Sequence, residues 1–224
     1  MKAHRARFQA SEDLLLSGAL AVGLEITPDQ RAAFGIYREE ITRWSARLSL
    51  TGFHQADEII RGGFLDSLAC LPLIPQEARH AVDIGSGAGF PAIPLKLARP
   101  NLSFTLVESS RKKTTFLQHI IRRLQLSGVR VVWGRAELLG QDPRETGRYD
   151  LALARAVAPP LDQMRLARPF LHAEGRFILQ AASALDETML ERAAGLGFAV
   201  AQEVSLAASL GRPGCRVVAL QRLG

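Results

Sequence analysis

Apolar positions follow two rhythms along this chain, and the change comes near residue 80. Before it, Phe34, Tyr37, Ile41, Trp44 and Leu48 recur every three or four positions and mark one face of a helix. Thr27-Pro28-Asp29-Gln30 starts that helix, with Thr27 at the N-cap, Pro28 in the first turn and Gln30 placed to close a capping box. A second helix is predicted over about 57–71, with Phe64, Leu65, Leu68 and Leu71 inward. After residue 80 the apolar runs are short: 80–84, 104–108, 129–133, 151–154, 176–180, 199–204 and 216–220. Helical patterns lie between most of them. That alternation predicts an α/β layer fold with a seven-stranded, mostly parallel sheet. The last two runs sit close together around Gly211-Arg212-Pro213-Gly214, which predicts an antiparallel final hairpin. The expected organisation is a helical N-terminal extension over 1–75 and one compact domain over 76–224.

Composition narrows the classes. The 224 residues are 47% hydrophobic, enough for a sizeable core and against global disorder. No window approaches 18 uncharged apolar residues, so no membrane-spanning helix is expected. Residues 14–22 are too short and badly flanked for a signal peptide. Cys70 and Cys215 stand in no metal or redox spacing, which fits a reduced cytoplasmic setting and no metal. A formal charge of +6 and a pI near 10.0 fit a polyanionic partner.

The chemistry gathers where the first strand ends. Residues 81–91 read Ala-Val-Asp-Ile-Gly-Ser-Gly-Ala-Gly-Phe-Pro. Asp83, Gly85, Ser86, Gly87, Gly89 and Phe90 form a strand-to-helix turn in which glycines let the backbone approach a ligand. A dinucleotide fingerprint would instead read Gly-x-Gly-x-x-Gly, so a dehydrogenase fits less well. An acid at the strand end suits a cofactor with a cationic amino-acid end and no pyrophosphate, which is the character of S-adenosyl-L-methionine. Glu108 ends the second strand roughly 20 residues on, where a carboxylate can accept from both ribose hydroxyls. Gly134-Arg135-Ala136-Glu137 follows the third strand, where an adenine ring would lie. Arg155 ends the fourth strand inside an apolar stretch and needs a partner; a role in the site, positioning cofactor or substrate, is expected.

Arg111, Lys112 and Lys113 open the helix after Glu108, where cations oppose the helix dipole and are not explained by helix stability. With Arg135 and Arg165 they are the expected contacts to RNA. A solvated charged face is the alternative reading of the same residues.

Together these motifs resemble a family. Residues 83–91, Ile93-Pro94-Leu95-Lys96, Arg111-Lys112-Lys113, Gly134-Arg135-Ala136-Glu137 and Arg155-Ala156-Val157-Ala158 resemble the bacterial small-subunit rRNA guanine-N7 methyltransferases. This is the RsmG family, also called glucose-inhibited division protein B. Phe64-Leu65-Asp66-Ser67-Leu68 and the stretch 44–51 resemble its N-terminal signature, and the resemblance runs from about residue 34 to residue 220. It implies a class I, Rossmann-like methyltransferase using S-adenosyl-L-methionine on a guanine in the decoding-region loop of 16S rRNA, free or in the assembled small subunit. It also implies cofactor contacts from Gly85, Phe90, Ala136, Glu137 and Arg155. Ser45, Ser49, Gly63, Ala92 and Gln180 depart from the family's usual residues.

The residues fit that reaction independently. Guanine N7 carries a lone pair and no proton, so its methylation needs no acid or base, only positioning. Ala158-Pro159-Pro160-Leu161 lacks the amide and aromatic of an amine-methylating loop. Two other readings remain open: a class I methyltransferase with another substrate, and a non-catalytic RNA-binding or ribosome-assembly factor on the same fold.

Overall fold

The computed structural model describes residues 2–53, 55–155, 157–181, 183–205 and 216–224. Two long helices come first, α1 (Lys2–Leu20) and α2 (Pro28–Ser45). The capping box forms as the sequence predicts: the Gln30 amide donates to Thr27 Oγ1 at 3.2 Å, and the Thr27 amide to Gln30 Oε1 at 2.9 Å. Gln30 also donates to the Leu97 carbonyl at 2.9 Å, so this cap ties the start of α2 to residue 97 in the helix that follows the first strand.

The helix expected over 57–71 forms as an unbroken helical run over 56–68 with Phe64, Leu65 and Leu68 buried as predicted, but it is not a regular α-helix throughout and it stops before Leu71. The segment divides into α3 (Ala56–Glu58), a π-helical stretch Ile59–Leu65, α4 (Asp66–Leu68) and a 3-10 turn Leu71–Leu73. Aromatic rings pack onto this stretch at Gly62 and Gly63. A Cβ on Gly62 would fall 2.6 Å from the Phe53 ring, and one on Gly63 would fall 2.6 Å from the Phe90 ring. Six of the seven residues in the π-helical stretch are buried. Wide π turns of this kind often accompany functional sites.

The remaining elements alternate: β1 (His80–Ile84), α5 (Ala92–Ala98), β2 (Ser103–Glu108), α6 (Arg111–Arg123), β3 (Val129–Trp133), α7 (Ala136–Leu139), β4 (Tyr149–Ala154), α8 (Pro160–Ala167), β5 (Leu171–Ala181), α9 (Glu187–Gly195), β6 (Phe198–Ser205) and β7 (Arg216–Arg222). They make one sheet in the order β3-β2-β1-β4-β5-β7-β6. The pairs among β1 to β5 are parallel, and β7 runs antiparallel to both β5 and β6. The turn expected at Gly211-Arg212-Pro213-Gly214 lies outside the described residues.

Each sheet face has its own core. Ala81, Phe104, Leu106, Leu151 and Leu153 pack under α2, α5 and α6 with the extension. Val82, Ile84, Val107, Ala152 and Leu179 pack under α8 and α9. Burial on both faces is why β1, β2 and β4 read as nearly continuous apolar runs. The strand order reverses between β1 and β4. In open α/β sheets ligands bind outside the carboxyl ends of the strands at such a reversal. The Gly85–Gly89 loop leaves β1 there, and Arg155 leaves β4 there.

Candidate functional site

The glycine loop is held by its own backbone. The Gly85 and Ser86 amides donate to the Val107 carbonyl at 2.8 and 3.1 Å, which locks the turn to the end of β2. Gly85, Gly87 and Gly89 have φ of +69°, +58° and +93°, the left-handed region that favours glycine. Gly87 lines the cavity, and its Cβ would meet only the Gly85 carbonyl, at 3.8 Å. Gly89 turns the other way: a Cβ there would fall 2.4 Å from Ile93 and 2.8 Å from the Tyr37 hydroxyl. Tyr37 on α2 donates to the Ala88 carbonyl at 2.5 Å, so the helical extension grips the loop from behind.

Glu108 is buried at the end of β2 and both its oxygens are oriented by main chain. Oε2 accepts from the Gly87 amide at 2.9 Å and Oε1 from the Ser110 amide at 2.7 Å. Each oxygen keeps a second lone pair for a ligand hydroxyl. Asp83 lies deeper, fully buried, with no well-formed hydrogen bond to either oxygen. Burial pushes its pKa up to about 7, against the pull of Ser86, the Ala92 amide and the Arg155 charge. Asp83 and Gly89, both expected as cofactor contacts, therefore stand behind the cavity wall rather than on it.

Arg155 finds its partner in the extension. Its Nη1 donates to the Gly62 carbonyl at 2.6 Å, and its guanidinium stands 5.0 Å from the Phe90 ring centroid. Burial lowers its pKa, while Asp66 and Asp83 favour the charged form.

The cavity these groups enclose measures about 490 Å³. That is the size of a small-molecule site, about 300–1,000 Å³. Gly85, Ser86, Gly87, Phe90, Glu108, Ala136, Glu137 and Arg155 line it, and so do Lys113 and Arg135. Sheet order places them in a row: Glu137 after β3, Glu108 after β2, the glycine loop after β1, Arg155 after β4. Arg111 and Lys112 do not line it. Arg111 lies 4.0 Å over the indole of Trp133, an exposed ring whose Nε1 donates to the Ser109 carbonyl at 2.9 Å. Arg165 pairs with Asp162 on the surface of α8 at 2.5 Å, away from the cavity.

One wall carried no expected site role: Leu50, Thr51, Gly52 and Phe53, from the link between α2 and α3. Leu50 and Thr51 end the stretch 44–51 that resembles the family's N-terminal signature, but only the fold brings the link opposite the glycine loop.

The residues fit S-adenosyl-L-methionine. The Glu108 carboxylate, oriented by main chain, can accept from ribose hydroxyls, and the open space at Gly87 leaves the loop backbone approachable. A carboxylate with unmet bonding capacity lies beneath the turn, favouring a cationic end nearby.

Solved structures share the fold. The chain resembles the ribosomal protein L11 methylase of Lactobacillus delbrueckii subsp. bulgaricus with a TM-score of 0.56, at 18% identity, over 78% of this chain and 81% of that one. It resembles the [4+2]-cyclase SpnF with a TM-score of 0.58, at 14% identity, over 90% and 99%. A methylase and a cyclase on one architecture show that the fold alone does not name a reaction. Sequence is more discriminating. The "Ribosomal RNA small subunit methyltransferase G" of Dictyoglomus thermophilum is 42% identical over 161 residues, covering 71% of this chain and 67% of the relative. Its namesake from Roseiflexus castenholzii is 41% identical over 178 residues, covering 80% and 76%. The family model GidB, rRNA small subunit methyltransferase G, matches residues 30–211. The chain belongs to the rRNA small subunit methyltransferase G family.

Proposed function

We propose that this protein transfers the methyl group of S-adenosyl-L-methionine to N7 of a guanine in the decoding-region loop of 16S rRNA, in the cytoplasm. The carrying observation is the distribution of charge along the cavity. Its lining carboxylates, Glu108 and Glu137, follow β2 and β3. At the β4 end the described lining residues are Phe53, Phe90, Arg155 and Val157, with no carboxylate or imidazole among them. That end suits a nucleophile with no proton to remove.

When bound, the cofactor supplies an electrophilic methyl group on a sulfonium. The chain's residues hold and orient. Glu108 accepts from ribose hydroxyls, Ala136 and Glu137 meet the adenine edge, and Gly85, Ser86 and Gly87 back the amino-acid portion with main chain. Phe90 and Arg155 fix the end where the target base enters. Lys113 and Arg135 at the mouth, with Arg111 and Lys112 beside it, meet phosphates of an RNA loop. Arg165 belongs to this RNA face only if its pair with Asp162 opens. Residues 1–75 form a helical extension to the domain 76–224 and share the site's work, a reading supported by the Tyr37 and Gly62 contacts. Alignment and exclusion of water account for the rate, since no acid–base step is needed.

The test is methyl transfer from radiolabelled S-adenosyl-L-methionine to small subunits, or their RNA, from a strain lacking this modification. Label in 7-methylguanosine is the expected result. Absence of label with cofactor binding intact overturns the reading.

A further inference from the structure

The cavity has a flat aromatic wall that the cofactor contacts described above do not include. Phe53 supplies it. Its ring lies against the main chain of the π-helical stretch, so close that a Cβ on Gly62 would fall 2.6 and 2.7 Å from Cε1 and Cζ. Phe90 braces it edge-on, with centroids 6.3 Å apart at 63°. Thr51 fixes the backbone, its Oγ1 accepting from the Phe53 amide at 2.9 Å. The ring is only partly buried, and its remaining surface lines the cavity. Arg155 bonds to the carbonyl of the same Gly62, which places Phe53 at the β4 end, away from Glu108 and Glu137.

We propose that Phe53 is the platform on which the target guanine stacks, and that Gly62 exists to seat it. This rests on the N7 reading above. A base drawn out of an RNA loop loses its stacking neighbours and needs a replacement. An N7 methyltransferase has a particular need, because a hydrogen-bond donor aimed at N7 would occupy the lone pair that must attack. A π surface fixes the plane of the base and leaves its edge free. The phenyl ring, immobilised by Gly62, Phe90 and Thr51, meets that need.

The experiment is steady-state methylation of small-subunit RNA by wild type, F53A, F53L, F53Y and G62A, with S-adenosyl-L-methionine affinity measured on each by calorimetry. F53A is expected to lower kcat/KM for RNA by about 10- to 100-fold, the range of losing one base–aromatic stack. F53Y stays within about threefold of wild type. F53L keeps apolar bulk without a π face and loses about tenfold. G62A displaces the far end of a side chain rather than backbone, so it folds and its RNA defect approaches that of F53A. Cofactor affinity stays within about twofold throughout. Wild-type efficiency in F53A or F53L overturns the proposal, as does a loss that tracks cofactor affinity. A wild-type enzyme that places no label in 7-methylguanosine sinks the N7 reading and this proposal with it, an outcome distinct from an active enzyme indifferent to Phe53.

Discussion

The two ends of the sheet carry cavities of similar size and opposite character. The one at the carboxyl ends measures about 490 Å³; the one at the amino ends, between His80, Ser103, Gly128, Arg130, Arg148 and Tyr149, about 650 Å³. Both present arginines. At the amino end two of those arginines, exposed as they are, already pair with the chain's own carboxylates. Arg130 meets Glu145 through both nitrogens, at 3.0 and 2.6 Å, and the Tyr149 hydroxyl at 2.8 Å; Tyr149 in turn donates to Glu145. Arg144 pairs with Asp142, whose carboxyl it holds down at about 2. At the carboxyl end Glu108 keeps lone pairs to spare, Asp83 has no well-formed bond, and Gly87 leaves its backbone bare. Volume and positive charge do not separate a site from a crevice; unmet bonding capacity does.

The comparison breaks most sharply at Glu108. E108A leaves the Gly87 and Ser110 amides without their acceptor and removes the one proposed for the two ribose hydroxyls, and charged hydrogen bonds are worth about 1.5–3 kcal/mol each. Cofactor Kd measured by calorimetry is expected to rise about 100-fold or more, and a rise below about threefold would remove Glu108 from the site.

Asp83 gives the next effect, in stability. Its folded pKa of about 7 lies above the unfolded value of about 3.8, so the native state binds the extra proton between them. The stability this contributes is present below about pH 4 and is lost as pH rises to about 7. Thermal melts across that range should show a falling component in wild type that D83N lacks; the same slope in both would refute the shift.

Smaller still is the RNA face. Replacing Arg111, Lys112 and Lys113 together by Gln should reduce the slope of log K against log salt for RNA binding by about 2 to 3. Cofactor affinity should move by less than about threefold, through Lys113, the one of the three that lines the cavity. An unchanged slope would return these residues to a solvated surface.

The amino end should yield the least change in activity. E145Q strips Arg130 and Tyr149 of their acceptor charge and should lower unfolding free energy by about 1–3 kcal/mol. Turnover per folded molecule should stay within about twofold. A selective loss of turnover would make the amino end a functional site.

Local rules carried much of the sequence reading. The Thr27–Gln30 cap, the extent of β1 and β3, and the glycine turn depend on residues within a few positions of one another, and all appear as read. The helix expected over 57–71 appears over 56–68 with its predicted inward face, but its π-helical middle was not legible, and there the rings of Phe53 and Phe90, residues outside the segment, occupy the space at Gly62 and Gly63. Periodicity reports which face is apolar, but not how wide the turn must be to admit a neighbour's ring.

The same boundary runs through the site. The chain alone determined its family, the α/β alternation, the glycine loop and the acid at the end of β2, because those signals are short in sequence. Tertiary structure decided that Asp83 and Gly89 stand behind the wall, that Arg155 bonds to Gly62 across 93 positions, and that Phe53 faces the cavity. Those depend on which backbone closes against which. A stretch of sequence cannot express a distance to residues it does not contain.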